Sequence, residues 1–496
     1  MKKIIIYFAL IGLCVFNVCC NEKEKPLPVP EEPQEVVPED PEKEPDEPEE
    51  VKKEYISLTA TRENVLKLFE NMVEGDTLAY EKRAGANVLQ AVKTNGNLIF
   101  EVWPGSTLTD NQEIIRTAMY ALGPGDQLLF HEGEYGRLLP LTDGVGLYPS
   151  FSGATDAPII VRGFGNGENR PVITRDNITT GDLWTINGNY IEVSYMEFYN
   201  ATGWSVGLTR TSRSSEDIGL ITDITIKDCR FDNSGDVSVA ANWSWYHYNN
   251  ITIENNVFVN ANYTFVYIGQ ADGNAWGDNI IIRGNFFVGR PIDDPNVVGY
   301  AMQFKLNIHN SLVENNLILN VKGPGIAIYG ANTTNIQGSV NVRPNIVRNN
   351  LVLGAGEGIN ILGGTARVFD NVAFECGYMG IRVQNRTSSD AAVRRDIIIQ
   401  RNTSGFNEEE SVVDYQNLGP GSDVIIDLGT VSDVSDNIYY EIEETEDNVR
   451  VQNLIKILRA LKEKPAGFDA YFEDINTRPA PYTLSQLADK LQILTD

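Results

Sequence analysis

Ile251-Thr-Ile-Glu-Asn-Asn-Val-Phe258 decides how this chain is read. Its apolar residues alternate with polar ones, the period of a β-strand with one buried face. Two polar residues ending in Asn256 interrupt the strand, and an apolar pair restarts it. The same arrangement stands at Ile224-Thr-Ile-Lys-Asp-Cys-Arg-Phe231, Ile280-Ile-Ile-Arg-Gly-Asn-Phe-Phe287, Leu312-Val-Glu-Asn-Asn-Leu-Ile318 and Ile346-Val-Arg-Asn-Asn-Leu-Val352. Weaker copies are Ile191-Glu-Val-Ser-Tyr-Met-Glu-Phe198, Val368-Phe-Asp-Asn-Val372 and Ile397-Ile-Ile-Gln-Arg-Asn-Thr403.

The interrupting Asn falls at 256, 285, 316, 350, 371 and 402, in steps of 29, 31, 34, 21 and 31. A strand pattern that restarts at such intervals belongs to stacked repeats. One coil cannot bury its inward face alone, but a stack buries a continuous apolar column, and Asn side chains held in register can hydrogen-bond along it. A β-sandwich would turn at shorter intervals and show no such register. The fold class is therefore all-β, a parallel β-helix solenoid spanning residues 106–440.

The flanks read as caps and a tether. Asp110-Asn-Gln-Glu113 has capping-box spacing, and Ile114, Ile115, Ala118, Met119 and Leu122 share one helical face before Gly123-Pro-Gly-Asp126 ends it. Such an N-terminal capping helix would cover the open end of the apolar column. Residues 55–105 read as a small mixed segment, with amphipathic spacing at Val65, Leu68 and Phe69. Residues 441–496 read as a helical C-terminal cap, with helices over 451–461 and 485–494. At the start, Lys2 and Lys3 precede an apolar run from Ile4 to Val18 that is short for a membrane span and suits a secretory signal over 1–20. Residues 21–54 are a Pro/Glu-rich stalk: from 22 to 54 there are 14 acids against five lysines, too little apolar surface to fold.

The net charge is −28; the stalk holds −9 and the leader +2, leaving −21 on the rest. An acidic globular part disfavours nucleic acid as a partner. A monomer is expected. Only Cys229 and Cys376 lie in the solenoid, five coils apart, roughly 24 Å at about 4.8 Å per strand, which excludes a disulfide between them.

Two resemblances add to this. Cys19-Cys20 is similar to a bacterial lipoprotein cleavage site, and Asn21-Glu-Lys-Glu24 resembles the acidic export signal of Bacteroidetes surface lipoproteins. They imply a secreted chain anchored to the outer membrane or cell surface through lipid on Cys20. The stretch from Asn111 to Tyr135, with Gly125-Asp-Gln-Leu-Leu-Phe-His-Glu-Gly133, and Ala157-Pro-Ile-Ile-Val-Arg162 resemble the opening of pectate-lyase-like and alginate or chondroitin lyase β-helices. That resemblance covers about 110–440. It implies a right-handed helix, a polysaccharide substrate, a basic catalytic pair and often a Ca²⁺ ion. The chain departs from it in lacking the alginate-lyase catalytic motif and an Arg beside Lys305.

A second strand follows each Asn turn. Aligning its inward pairs as Val237/Val239, Val266/Ile268, Met302/Phe304, Ile326/Ile328, Ile359/Ile361 and Ile381/Val383 leaves one outward column of Ser238, Tyr267, Gln303, Ala327, Asn360 and Arg382. A second column holds Lys305 and Tyr329 on neighbouring coils. His309 is expected at the rim, and Trp243 and Trp245 crowd an earlier turn. Aromatic rings against sugar faces bury much area at low entropy.

β-Elimination from a uronic acid needs the carboxylate neutralised, a base for the C5 proton and an acid for the leaving oxygen. The expected catalytic set is Lys305 or His309 as base, Tyr329 as acid or second base, and Arg382 or Gln303 at the carboxylate. Tyr267, Trp243, Trp245 and Asn360 are expected to bind substrate. A glycoside hydrolase or epimerase would draw on turn carboxylates, Asp272, Asp293, Asp294 or Glu357, and a non-catalytic glycan binder would need only the aromatic cluster.

Overall fold

The computed structural model describes residues 53–440 except for 58–65, 106–114, 139–150, 165–169, 176–180, 209–216, 270–274, 291–297, 331–341, 384–395, 406–412, 416–430 and shorter gaps. The leader, residues 21–52 of the stalk, the C-terminal helices, the capping box and Asp272, Asp293 and Asp294 lie outside the described residues, while Lys53 and Glu54, expected in the stalk, belong to the strand Lys53–Ser57.

Nearly everything described is strand, arranged on three faces of a solenoid. The first face is a 16-stranded sheet. It opens with Lys53–Ser57 parallel to Thr77–Lys82, continues antiparallel through Ala86–Thr94 and Asn97–Val102, and the last pairs in parallel with Gln127–Phe130. Parallel strands then follow one per coil, including Ile191–Ser194, Gly219–Lys227, Tyr246–Glu254 and Gly277–Arg283. The second and third faces form one 18-stranded sheet, because Leu317–Ile328 and Leu351–Ile361 run on through the corner between them. Helical residues are described at Ile115, Ala118, Met119 and Ala121, where the first three are buried and Leu122 N–H donates to Ala118 O.

The corner between the first and second faces explains the repeat. It is two residues long. The first is left-handed, as at Asp228, Asn255, Gly284, Asn315, Asn349 and Asp370, with φ between 53° and 63°. Asn, Asp and Gly tolerate that conformation best. The second is the expected Asn, buried at 256, 285, 316, 350, 371 and 402. Each Nδ2 donates to the Oδ1 of the next, at 3.1, 3.0, 2.9, 2.9 and 2.9 Å down the stack. Each Oδ1 from Asn285 onward also accepts the backbone N–H of the preceding Asn. Cys229 fills the same place one coil earlier, its N–H donating to Asn256 Oδ1. Cys229 and Cys376 are free and buried, and burial pushes both thiols up to about 12.

Inside, isoleucines stack in register, as in Ile191–Ile224–Ile251–Ile280. Phe198, Phe231, Phe258 and Phe287 form a parallel pile with centroids 4.8–5.1 Å apart. Each such side chain contributes about 1.5–3 kcal/mol by burial. Outside, the first face neutralises itself: Lys227, Glu254, Arg283, Glu314 and Arg348 alternate in register, and Arg283–Glu254 and Arg348–Glu314 pair at 2.6 and 2.7 Å.

One expected register is corrected. Val239 faces Val266 and Ala241 faces Ile268, so Ala240, not Ser238, precedes Tyr267 in the outward column. Ser238 is fully buried, its hydroxyl bonded to Ser234, which bonds to Ser205. Three hydroxyls satisfy one another within the protein, so a polar residue there does not mark the outer side.

Candidate functional site

The third face carries the candidate site. Its outward column runs in register through Gly207, Ala240, Tyr267, Gln303, Ala327, Asn360 and Arg382. Small residues leave room that longer neighbours fill, and much of the column is buried under them. Gln303 is fully buried and its Nε2 donates to Thr264 Oγ1 at 2.9 Å. This removes it from a substrate's reach.

Two clusters stand on this face. In the first, Lys305 Nζ lies 4.1 Å from the Tyr329 ring centroid and 5.4 Å from that of Tyr267. Lys305 and Tyr329 come from adjacent coils, as the alternation requires: Lys305 N–H donates to Ile268 O, and Tyr329 N–H to Phe304 O. Lys305 as a whole residue is buried, with 8% exposure. Aromatic faces stabilise a cation in that position by about 0.5–2 kcal/mol.

In the second cluster, Arg382 Nη1 and Asn360 Nδ2 each donate to one oxygen of Glu357. The Arg382 guanidinium also lies 4.8 Å from the Tyr378 ring centroid. Glu357, expected in a turn, instead lies within the strand Leu351–Ile361, in register with Pro324. Arg382 sits three coils beyond Lys305, roughly 14 Å, so the two cations do not meet at one carboxylate.

His309 joins neither cluster. It opens the next first-face strand, in register with Asp278, and is 2% exposed. Its Nδ1 is 3.7 Å from Asp278 Oδ1, and burial holds its pKa below the ordinary histidine value. The rim position expected for it is corrected: the short turn after Lys305 feeds directly into the neighbouring sheet. Trp243 is 40% exposed and meets Trp204 edge to face at 6.1 Å. Trp204 was not singled out from the sequence, yet its ring lies against Gly207, with Cε3 2.9 Å from where a Cβ would stand. Trp245 is half-buried in a left-handed turn with φ 69°.

A calcium ion wants six to eight oxygens. Among the described residues no three His, Cys, Asp or Glu side chains converge. Glu357 already gives both oxygens to Arg382 and Asn360, so these residues do not fit the ion. Among the described residues no helix is long and apolar enough to cross a membrane.

Comparison with known proteins agrees with the architecture. The family described as "Right handed beta helix region" matches residues 221–404. No curated protein matches. Among solved structures, the chain is similar to an alginate lyase from Paenibacillus sp. str. FPU-7, with 16% identity over 68% of this chain and 95% of that one and a TM-score of 0.44. A mannuronic acid specific polysaccharide family 6 lyase from human gut microbiota gives 13% identity, 69% and 83% coverage and a TM-score of 0.39. Pectate lyase Pel9A gives 16%, 66% and 72%, and 0.32. The asparagine stack, the three-faced parallel pairing and the family match together make this chain a right-handed parallel β-helix protein.

Proposed function

We propose that the third face binds a uronic-acid-containing polysaccharide and cleaves it by β-elimination. The supporting observation is Lys305, a cation whose Nζ stands over the rings of Tyr267 and Tyr329 on that face. In this reading the ammonium neutralises the substrate's C6 carboxylate and stabilises the enolate-like intermediate, the largest contribution such a site can make. Tyr329, as its phenolate, takes the C5 proton. The C4–O4 bond then breaks, the Tyr329 hydroxyl so formed returns the proton to O4, and a C4–C5 double bond remains. Lys305 is thereby moved from base to electrostatic partner, because a cation stabilised by two ring faces is a poor proton acceptor.

The same proposal places the chain at the cell surface, tethered through lipid on Cys20 and acting as a monomer on an extracellular glycan. Glycan binding without cleavage is the second reading. It is favoured by the exposed Trp243 beside Trp204, which offers an apolar platform with no chemistry attached. Hydrolysis is less well supported, since Glu357 has both oxygens engaged.

The test is ultraviolet absorbance of the unsaturated product when purified protein meets alginate, pectate or glycosaminoglycans. Lys305→Ala should lose turnover at least ~100-fold, in line with loss of one preorganised donor, while its circular dichroism stays that of the parent. Unchanged turnover would remove Lys305 from the mechanism, and retention of glycan without product would favour the binding reading.

A further inference from the structure

Beside the Glu357 cluster, at the leading edge of the third face, lies a cavity of about 370 Å³ lined by Lys322, Gly323, Gly356, Glu357, Gly377 and Tyr378. Ligand pockets span roughly 300–1,000 Å³, so this one suits a single sugar ring. We propose that it holds one neutral hexopyranose of the same glycan, so that the substrate is a heteroglycan carrying both neutral and acidic residues. The proposal rests on the reading of the third face as a glycan site and narrows the class of glycan.

The floor is the first argument. Three successive coils present glycine there. At two of them packing demands it: a Cβ on Gly323 would stand 2.3 Å from Gly299 O, and one on Gly356 would stand 1.9 Å from Lys322 O. Gly377 is different. A Cβ there would meet nothing nearer than 3.7 Å, an ordinary contact, and its backbone is not left-handed. The fold does not require glycine at 377, and its missing side chain keeps the cavity open.

The walls select the occupant. Glu357 is fixed by Arg382 and Asn360, and an ionised carboxylate has about four acceptor sites. Two are used, and the others suit sugar hydroxyls, which donate. A uronate's own carboxylate would meet like charge instead. Lys322 is exposed at the mouth, where solvent screens it. One ring of the lining, Tyr378, braced by Arg382, supplies apolar surface, and outside the lining Tyr300 packs against Gly323, its Cε1 3.7 Å from the Cβ position there. Tyr263, 42% exposed, stands 6.1 Å behind Tyr300. Glu357 aligns with Pro324 in the strand that follows the Lys305 coil, two coils or roughly 10 Å along the axis from Lys305. One glycan can span both.

The experiment uses glucuronic acid oligosaccharides in matched pairs, with and without a mannose or galactose residue, immobilised and probed with the intact protein. The wild type should retain the neutral-bearing member at least tenfold more strongly. Gly377→Phe should abolish the preference, and Gly377→Ala should keep it. Glu357→Gln should weaken it without filling the cavity, which covers the case in which the phenylalanine variant fails to fold. Equal retention of both members, or a preference that survives both Gly377→Phe and Glu357→Gln, overturns the pocket while leaving the uronate site intact. Retention of mannose- or galactose-bearing glycans regardless of uronate, still lost in Gly377→Phe, overturns the uronate reading and keeps the pocket. No retention of any glycan overturns both.

Discussion

Asn316→Ala is the sharpest test of what holds the solenoid together. The side chain is 2% exposed. Its Nδ2 donates to Ile282 O and to Asn350 Oδ1, both at 2.9 Å. Its Oδ1 accepts the backbone N–H and the Nδ2 of Asn285, each at 3.0 Å. Alanine removes all four bonds, but the groups left behind are not equally harmed. Asn285 Nδ2 keeps Ile253 O, and Asn350 Oδ1 keeps the backbone N–H of Asn316. One group is stranded, the Asn285 backbone N–H, while the Ile282 carbonyl stays in the parallel ladder with Leu312–Glu314. A buried unsatisfied group costs about 1–3 kcal/mol, so the loss should be about 1–3 kcal/mol. Urea unfolding followed by circular dichroism measures it, with the slope checked because stacked repeats can lose two-state behaviour. A loss below about 1 kcal/mol with an unchanged slope would refute the claim that the asparagine stack, rather than apolar burial alone, fixes this corner.

Two further outcomes are expected. Burial chiefly lowers the pKa of His309, with Asp278 opposing and the Arg343 charge adding to the shift. The unfolded chain therefore takes up a proton near pH 6.5 that the folded chain refuses until lower pH. The stabilisation is whole above about pH 6.5 and declines as pH falls toward the folded value. His309→Gln should flatten that part of the profile of unfolding midpoint against pH, and parallel profiles would remove His309 as its source. Gly289→Ala would place a Cβ 1.7 Å from Asn320 O and should destabilise by about 1–3 kcal/mol or more. A melting temperature equal to the parent's would show that the corner yields.

The repeat was legible because it needs only two local facts, alternation along the strand and a residue able to turn left-handed before each buried Asn. The register of the third face was readable from Val266 onward for the same reason. It slipped at Val237 because Ser234 and Ser238 satisfy each other indoors, and polarity then no longer reports which way a side chain points. Lys305 and Tyr329 followed from equivalent positions on adjacent coils. The Glu357–Arg382 pairing and the Trp204 ring did not, since Glu357 sits where the strand Leu351–Ile361 runs through a corner and Trp204 lies just before a strand, and alternation does not fix a side chain's lean at either place. A stretch of glycine residues, at 354, 356 and 358, was the available signal for the cavity floor, and it reads equally as a flexible loop.

The two-residue corner has one more consequence. Coils differ in length by as much as thirteen residues, 34 against 21, and none of that difference is taken up at the asparagine stack. It falls largely between the third-face strands and the next first-face strands, where 362–364 is a short link and 329–344 a long one. Each link begins where a third-face strand ends. The corner thus acts as the spine of a bound book: pages may be cut to any length at the open edge because the stitching never moves. A link can be lengthened with no change to a single residue of the interior.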